Sequence, residues 1–410
     1  MSLIPEFMSS KTQVKHWLLP SALVLGCLAA PVAQAEDEGS EDWNVHGQYT
    51  TVTQWHGGFK AQYSGANSLT NQAKHATTND ATLFLGVRLA PQTEFYMNPE
   101  IDQGFGLSGT LGVAGFTSGA AYKVGIQVPY GRMPRMFIRH VVDLGGEVQK
   151  LESDANQLAG NRAADNLTFT VGKMSVVDIF DNNKYAHDAR GDFMNWSILD
   201  AGAFDYAADA WGFTYGAVVE WSQGDWTWRN GLYDLSIKPN STTLEINFRQ
   251  FELVSELEHR HTWDGHPGAA KLLLFMNRGD MANYKDAVTQ YQQDLSACLS
   301  DPNNPSLSCG SPDVSKVRRY ASRPGLAFNF EQELATSVGV FAKASVNQGS
   351  KEAFEFTEIN QSVVLGTLVN GTFWERADDS VGVAYVQNSL SNQAKQYLAA
   401  GGMGVLIGDG

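Results

Sequence analysis

The chain has 410 residues, a formal charge of −15, 40 glycines and a large aromatic complement of 21 Phe, 14 Tyr and 10 Trp. That acidity argues against a nucleic-acid partner, because phosphate backbones select basic surfaces. No linker rich in Pro or Ser divides the chain, which favours one large β-barrel over several soluble domains.

Residues 1–35 read as an extension, MSLIPEF, followed by an export leader. Lys11, Lys15 and His16 precede the apolar run WLLPSALVLGCLAAPV, which ends in Ala33-Gln34-Ala35 before EDEG. The remainder, 36–410, is expected to form a single exported domain. It holds no apolar run as long as a membrane helix. Its two cysteines, Cys298 and Cys309 in SACLSDPNNPSLSCG, have the wrong spacing for zinc and lie in an oxidising compartment. They are expected to form a disulfide that closes a polar loop.

Alternation with a period of two predicts strands over 43–56, 81–90, 93–100, 131–142, 166–174, 211–222, 225–233, 246–263, 268–279, 323–333, 337–348, 357–374 and 380–388, with a fourteenth beginning near Met403. Their connections alternate in length. Short turns fall at APQ, SQGD, DGHP, ATS and RADD, while 57–80, 101–130, 175–210, 234–245, 280–322, 349–356 and 389–402 are longer. Strands running up and down would place the long connections at one end of the sheet, as in outer-membrane barrels. The segment 143–165 breaks this rule, being long at the short-turn end.

The strand faces give the same reading. Leu83, Leu85, Val87 and Leu89 alternate with Phe84, Gly86 and Arg88; Phe95 and Met97 alternate with Glu94, Tyr96, Asn98 and Glu100. A sheet in a bilayer must pair every backbone group, so it closes with its apolar face outward and its polar face around water. The expected fold is therefore all-β, a transmembrane antiparallel up-and-down barrel with 13 or 14 strands in this sequence. Reaching sixteen would take roughly another 45 to 60 residues at about ten per strand plus turns, so the chain reads as truncated at its C-terminus.

Pore-lining candidates follow from the polar face. Arg135 and Arg139 share one face of 131–142, with Arg132 at its start, and Arg88, Glu94, Asn98 and Glu100 face them from the neighbouring hairpin. Opposed basic and acidic ladders would set up a transverse field, or pair to stabilise a polar lumen. The segment 175–210 carries Asp178, Asp181, Asn183, Tyr185, Arg190, Asp192, Asn195 and Trp196, the planar polar and aromatic groups that hold a neutral sugar. It could fold inward and narrow the bore. His259, His261 and His266 sit at a hairpin end and are read as solvated, with no metal or other cofactor expected. Asp178 with Asp181, or Asp200 with Asp205, are the pairs a secreted glycoside hydrolase would use, but such an enzyme leaves the loop-length pattern unexplained.

Several stretches resemble the carbohydrate-selective outer-membrane porins of the OprB type: HGQYTTVTQWHGGFKAQYSGANSL (46–69), FYMNPEIDQGFGLSGTLGVAGF (95–116), RMPRMFIRHVV (132–142) and, most specifically, the long segment 171–221 from VGKMSVVDIF to YGAVVEW. The resemblance covers nearly the whole mature chain. It implies a monomeric sixteen-stranded barrel in the bacterial outer membrane, contacting lipid outside and passing small neutral carbohydrates such as glucose down their gradient. It also supports a constricting role for 175–210. The N-terminal extension and the missing C-terminal strands depart from the family pattern. A general or weakly cation-selective diffusion porin is the alternative.

Overall fold

The computed structural model describes residues 40–121, 125–301, 303–304, 306–307, 309–355 and 357–409. The expected leader lies outside the described residues. One sheet of thirteen strands runs in chain order: β1 (Trp43–His56), β2 (Lys74–Ala90), β3 (Thr93–Gly104), β4 (Tyr130–Leu151), β5 (Gly160–Met174), β6 (Thr214–Gln223), β7 (Trp226–Asp234), β8 (Phe251–Trp263), β9 (His266–Met281), β10 (Arg319–Ala335), β11 (Val338–Asn347), β12 (Gln361–Asn370) and β13 (Ser380–Ser389). Each pairs antiparallel with its sequence neighbours. None of the described helices is long and apolar enough to cross a membrane; in a barrel the strands do so.

Local chemistry sets the hairpins. The β8–β9 turn is Asp264-Gly265, both left-handed at φ 52° and 79°, the backbone a two-residue hairpin requires and the reason for the Asp-Gly pair. All the longer connections emerge at the opposite end. The exception at 143–165 disappears, because β4 runs on to Leu151 and β5 begins at Gly160, leaving only 152–159 as the turn. The sequence hid this extension because Gly145 and Gly146, at φ 112° and 85°, bend the ladder there and shift its register, which erases the alternation.

Other boundaries differ too. Residues 211–213, expected in a strand, are a turn: Asp209 Oδ1 accepts from the N–H groups of Trp211 and Phe213, with Gly212 at φ 96°. The start of the expected strand 246–263 is a turn in which Asp234 accepts from Phe248 N–H. The connection 280–322 contains a helix, α2 (Tyr284–Cys298), capped by Asn283, and Cys298 at its end is disulfide-bonded to Cys309, Cα–Cα 5.4 Å. Among the described residues no fourteenth strand begins near Met403. After α3 (Asn392–Ala399), capped by Ser391, residues 403–409 fold back onto the long loops. There Glu358 accepts from the N–H groups of Val405, Leu406 and Ile407.

The outer wall is apolar. Leu83 and Leu274 are 50% and 53% exposed, and Val87, Leu89, Leu253, Leu257, Leu272, Leu326, Phe328, Val363 and Leu365 continue the band. Trp43, Trp55, Trp226 and Trp263 are exposed near strand ends, where the interfacial girdles of such barrels lie. Inward positions are buried and mixed. Glu94, Asn98, Glu100 and Asp102 line one stretch, whereas Tyr233, Val254, Leu273 and Phe275 line another. The apolar inner stretch exists because 175–213 folds into the bore and packs Val176, Phe180, Phe204 and Tyr206 against it.

Candidate functional site

The segment 175–213 is held inside the barrel by carboxylates and amides. Asp181 accepts from Ala201 N–H at 2.5 Å and from Asn329 Nδ2 at 2.8 Å, and lies 3.6 Å from Lys343 Nζ. Asn183 donates to Asn329 Oδ1 at 2.7 Å. Asp205 accepts from Arg323 at 2.5 Å, both side chains fully buried, and from Phe354 N–H at 2.6 Å. Asp192 accepts from the N–H groups of His187 and Asp188. Asn195 caps the single-turn α1 (Trp196–Leu199) by accepting from Ser197 N–H, and Tyr185 packs with Ala186, Ile198, Phe341 and Val364. Asp181, Asn183, Tyr185, Asp192 and Asn195 thus pin or shape the loop.

What remains open beside the loop is a cavity of about 1020 Å³ lined by Glu100, Arg132, Arg135, Asp178, Arg190, Trp196, Asp200, Trp211 and Phe213, among others. Arg135 grips Asp178 with two parallel bonds of 2.7 and 2.6 Å, a bidentate geometry that fixes both groups. Across the β3–β4 ladder Arg139 stands opposite Glu94, Arg135 opposite Asn98 and Arg132 opposite Glu100, and Arg132 pairs with Glu100 at 2.6 Å and with Asp102. Its guanidinium lies 5.7 Å from the Trp211 ring centre and 5.3 Å from that of Phe213, and Arg135 lies 4.9 Å from Phe213, within cation–π range. Arg190 crosses to β1 and β2, donating to Thr50 at 3.0 Å and lying 3.4 Å from Asp80.

The remaining sequence candidates lie towards the short-turn end. Arg88 pairs with Glu94 at 3.0 Å. Arg139 lies over Tyr96 and donates to Asn156 O. Asn98 is buried, with neither side-chain polar atom bonded to protein.

Asp200 borders the cavity. Burial first, and the nearby Asp181 carboxylate second, push its pKa up to about 8, so the group is mostly protonated at neutral pH. His187, also at the cavity wall, has its pKa lowered by burial and by Lys343. Of the hydrolase pairs weighed above, Asp205 is wholly occupied by Arg323 and backbone donors, and Asp178 by Arg135. At the hairpin end the His259 and His261 rings stack with centroids 6.1 Å apart, His261 bonds Gln332 at 2.9 Å, and His266 lies 3.2 Å from Glu333. The sequence pattern places Trp211 and Phe213 in the strand 211–222 and so outside the candidate site. The signal was present in Asp209 and Gly212, a turn-forming pair.

The profile of the carbohydrate-selective porin family OprB matches residues 66–409. Among solved structures, OprB of Pseudomonas putida superposes with a TM-score of 0.59 at 13% identity, covering 88% of this chain and 78% of that one. OccK2 (OpdF) and OccK8 (OprE) of Pseudomonas aeruginosa give TM-scores of 0.38 and 0.37 at 6% and 9% identity, covering 86% and 85% of this chain and 81% and 84% of theirs. Among curated protein sequences, none matches. At such identities the first superposition supports the barrel fold alone, and the family match supplies the rest: a channel rather than an enzyme, placed in the outer membrane. This chain belongs to the OprB family of carbohydrate-selective porins.

Proposed function

We propose that the chain admits small neutral sugars, glucose among them, into the periplasm by passive diffusion, with 175–213 and the Arg132–Glu100 row forming the constriction. The single observation that carries this reading is the cavity wall. Planar guanidinium and carboxylate pairs stand beside the Trp211 and Phe213 rings and Trp196. Together they offer hydroxyl partners and an apolar face to a sugar ring. The gradient supplies the driving force, and the protein works as a monomer with lipid around it. Residues 1–35 act as the export leader, supported by the basic, apolar and small-residue pattern of that stretch.

Planar-bilayer recordings on the full-length protein test the reading. Glucose should reduce the ion current in a saturable way, and Trp196→Ala should weaken that block. A current unaffected by any of a panel of sugars would remove the selectivity. The second reading, a weakly cation-selective general pore, is favoured by the excess of carboxylates over guanidiniums at the cavity wall, where Asp154, Asp178, Asp188, Asp209 and Glu355 join Glu100 and Asp200. Liposome swelling separates the two, since a general pore passes solutes by size alone.

A further inference from the structure

The β4–β5 hairpin outruns the rest of the sheet, and its tip is tied back to the barrel. Residues 154–157 close a tight turn with reciprocal backbone bonds between Asp154 and Gln157 at 3.0 Å. Side chains from β1, β3 and β4 hold this tip. Asn44 donates to Ser153 Oγ at 3.0 Å and to Gln157 O at 2.7 Å, and the His46 ring lies 3.1 Å from Ser153 Oγ. On β1 these two alternate with the exposed Trp43 and Val45, which fixes their inward direction. From the other side Arg139 donates to Asn156 O at 3.0 Å, and Tyr96 Oη accepts from Leu158 N–H at 3.1 Å. Leu158 is buried in the interior cluster with Tyr96 and Phe137.

A tip clamped by inward groups of β1, β3 and β4 must lie within the bore, and the bend at Gly145-Gly146 turns it there. Asp154, Ala155 and Asn156 border the same cavity as Arg132, Arg135 and Trp196. The cavity is therefore walled by the long loop on one side and by this tip on the other. Asn156 Oδ1 is buried, with no hydrogen-bond partner among the described residues.

We infer that the 152–159 tip is a second specificity element, guarding the short-turn mouth that faces the periplasm in barrels of this kind. A solute that clears the loop constriction must then pass the Asp154 carboxylate and the Asn156 amide. The part of this inference concerning sugars rests on the function proposed above; the narrowing itself does not.

The test uses Ala155→Cys in the full-length protein in planar bilayers, a small change on an exposed tip residue. The described cysteines of the parent are joined to each other. A membrane-impermeant cationic methanethiosulfonate should lower the sugar-free ion conductance in steps, faster from the short-turn side. A thiol shown by mass to be modified with conductance unchanged, or one that never reacts, overturns the inference. Replacing 152–157 by Gly-Gly should raise conductance roughly two-fold, since a wider mouth admits more ions, and should weaken sugar block. An unchanged conductance in that folded variant also overturns it. If no sugar blocks the parent while the cysteine result holds, the transport reading falls and the mouth constriction stands.

Discussion

Two aspartates five positions apart in 175–213 show how little a residue's type says about its work. Asp205 lies wholly buried against Arg323. Asp205→Asn leaves that guanidinium charged and unpaired in the interior, which should cost about 3–5 kcal/mol, measured as a lowered urea midpoint of the heat-modifiable folded band. Asp200 has no guanidinium partner among the described residues, and Tyr206 donates to it at 3.3 Å. Because its folded pKa is raised from 3.8 to about 8, the fold holds its proton more tightly than the unfolded chain does. Its contribution to stability is fullest below about pH 4 and declines as pH climbs to about 8. Asp181, Lys343 and Tyr206 are the charged and titratable groups that set this value. Raising the pH from 7 to 9 should add negative charge at the cavity wall and shift the reversal potential towards cation preference. Asp200→Asn should abolish most of that shift. None of this was legible in the sequence, where Asp200 and Asp205 looked equivalent.

At the scale of elements, the strands were legible and 175–210 stood out as a segment that could fold inward, but the contacts that seat it were not legible. Alternation reports which face a residue takes, so all thirteen strands were found, with errors where Gly145-Gly146 or the Asp209 turn interrupts the period. The contacts that place 175–213 join Asp181 to Asn329 and Asp205 to Arg323, partners far apart in sequence that no local pattern announces. From β4, the Tyr130 hydroxyl accepts from Trp211 Nε1 at 3.0 Å, and Arg135 holds Asp178 in a bidentate pair. Arg135→Ala should loosen that anchor by about 1.5–3 kcal/mol, the range for bonds to charged groups. The expected readout is faster hydrogen exchange in peptides of 175–213 with little change in the strands. Equal acceleration in both would mean that the pair holds the barrel and not the loop.

For the whole molecule, the question is which solvent touches the outside of the sheet, and β9 answers it with two adjacent residues. Leu273 faces inward and is buried with Phe275 and Val254, while Leu274 faces outward and is half exposed. Leu273→Ala opens a cavity in the packed interior and should cost about 2–5 kcal/mol in any reading of the fold. Leu274→Arg separates the readings. On a wall facing water, an exposed substitution of this kind shifts stability by no more than about 0.5 kcal/mol. On a wall facing hydrocarbon near the middle of a strand, a guanidinium should cost about 2–4 kcal/mol. Leu274→Phe should be tolerated. Urea titrations of folding into phospholipid bilayers measure all three, and a stability of Leu274→Arg matching the parent would mean that water, not lipid, surrounds the sheet.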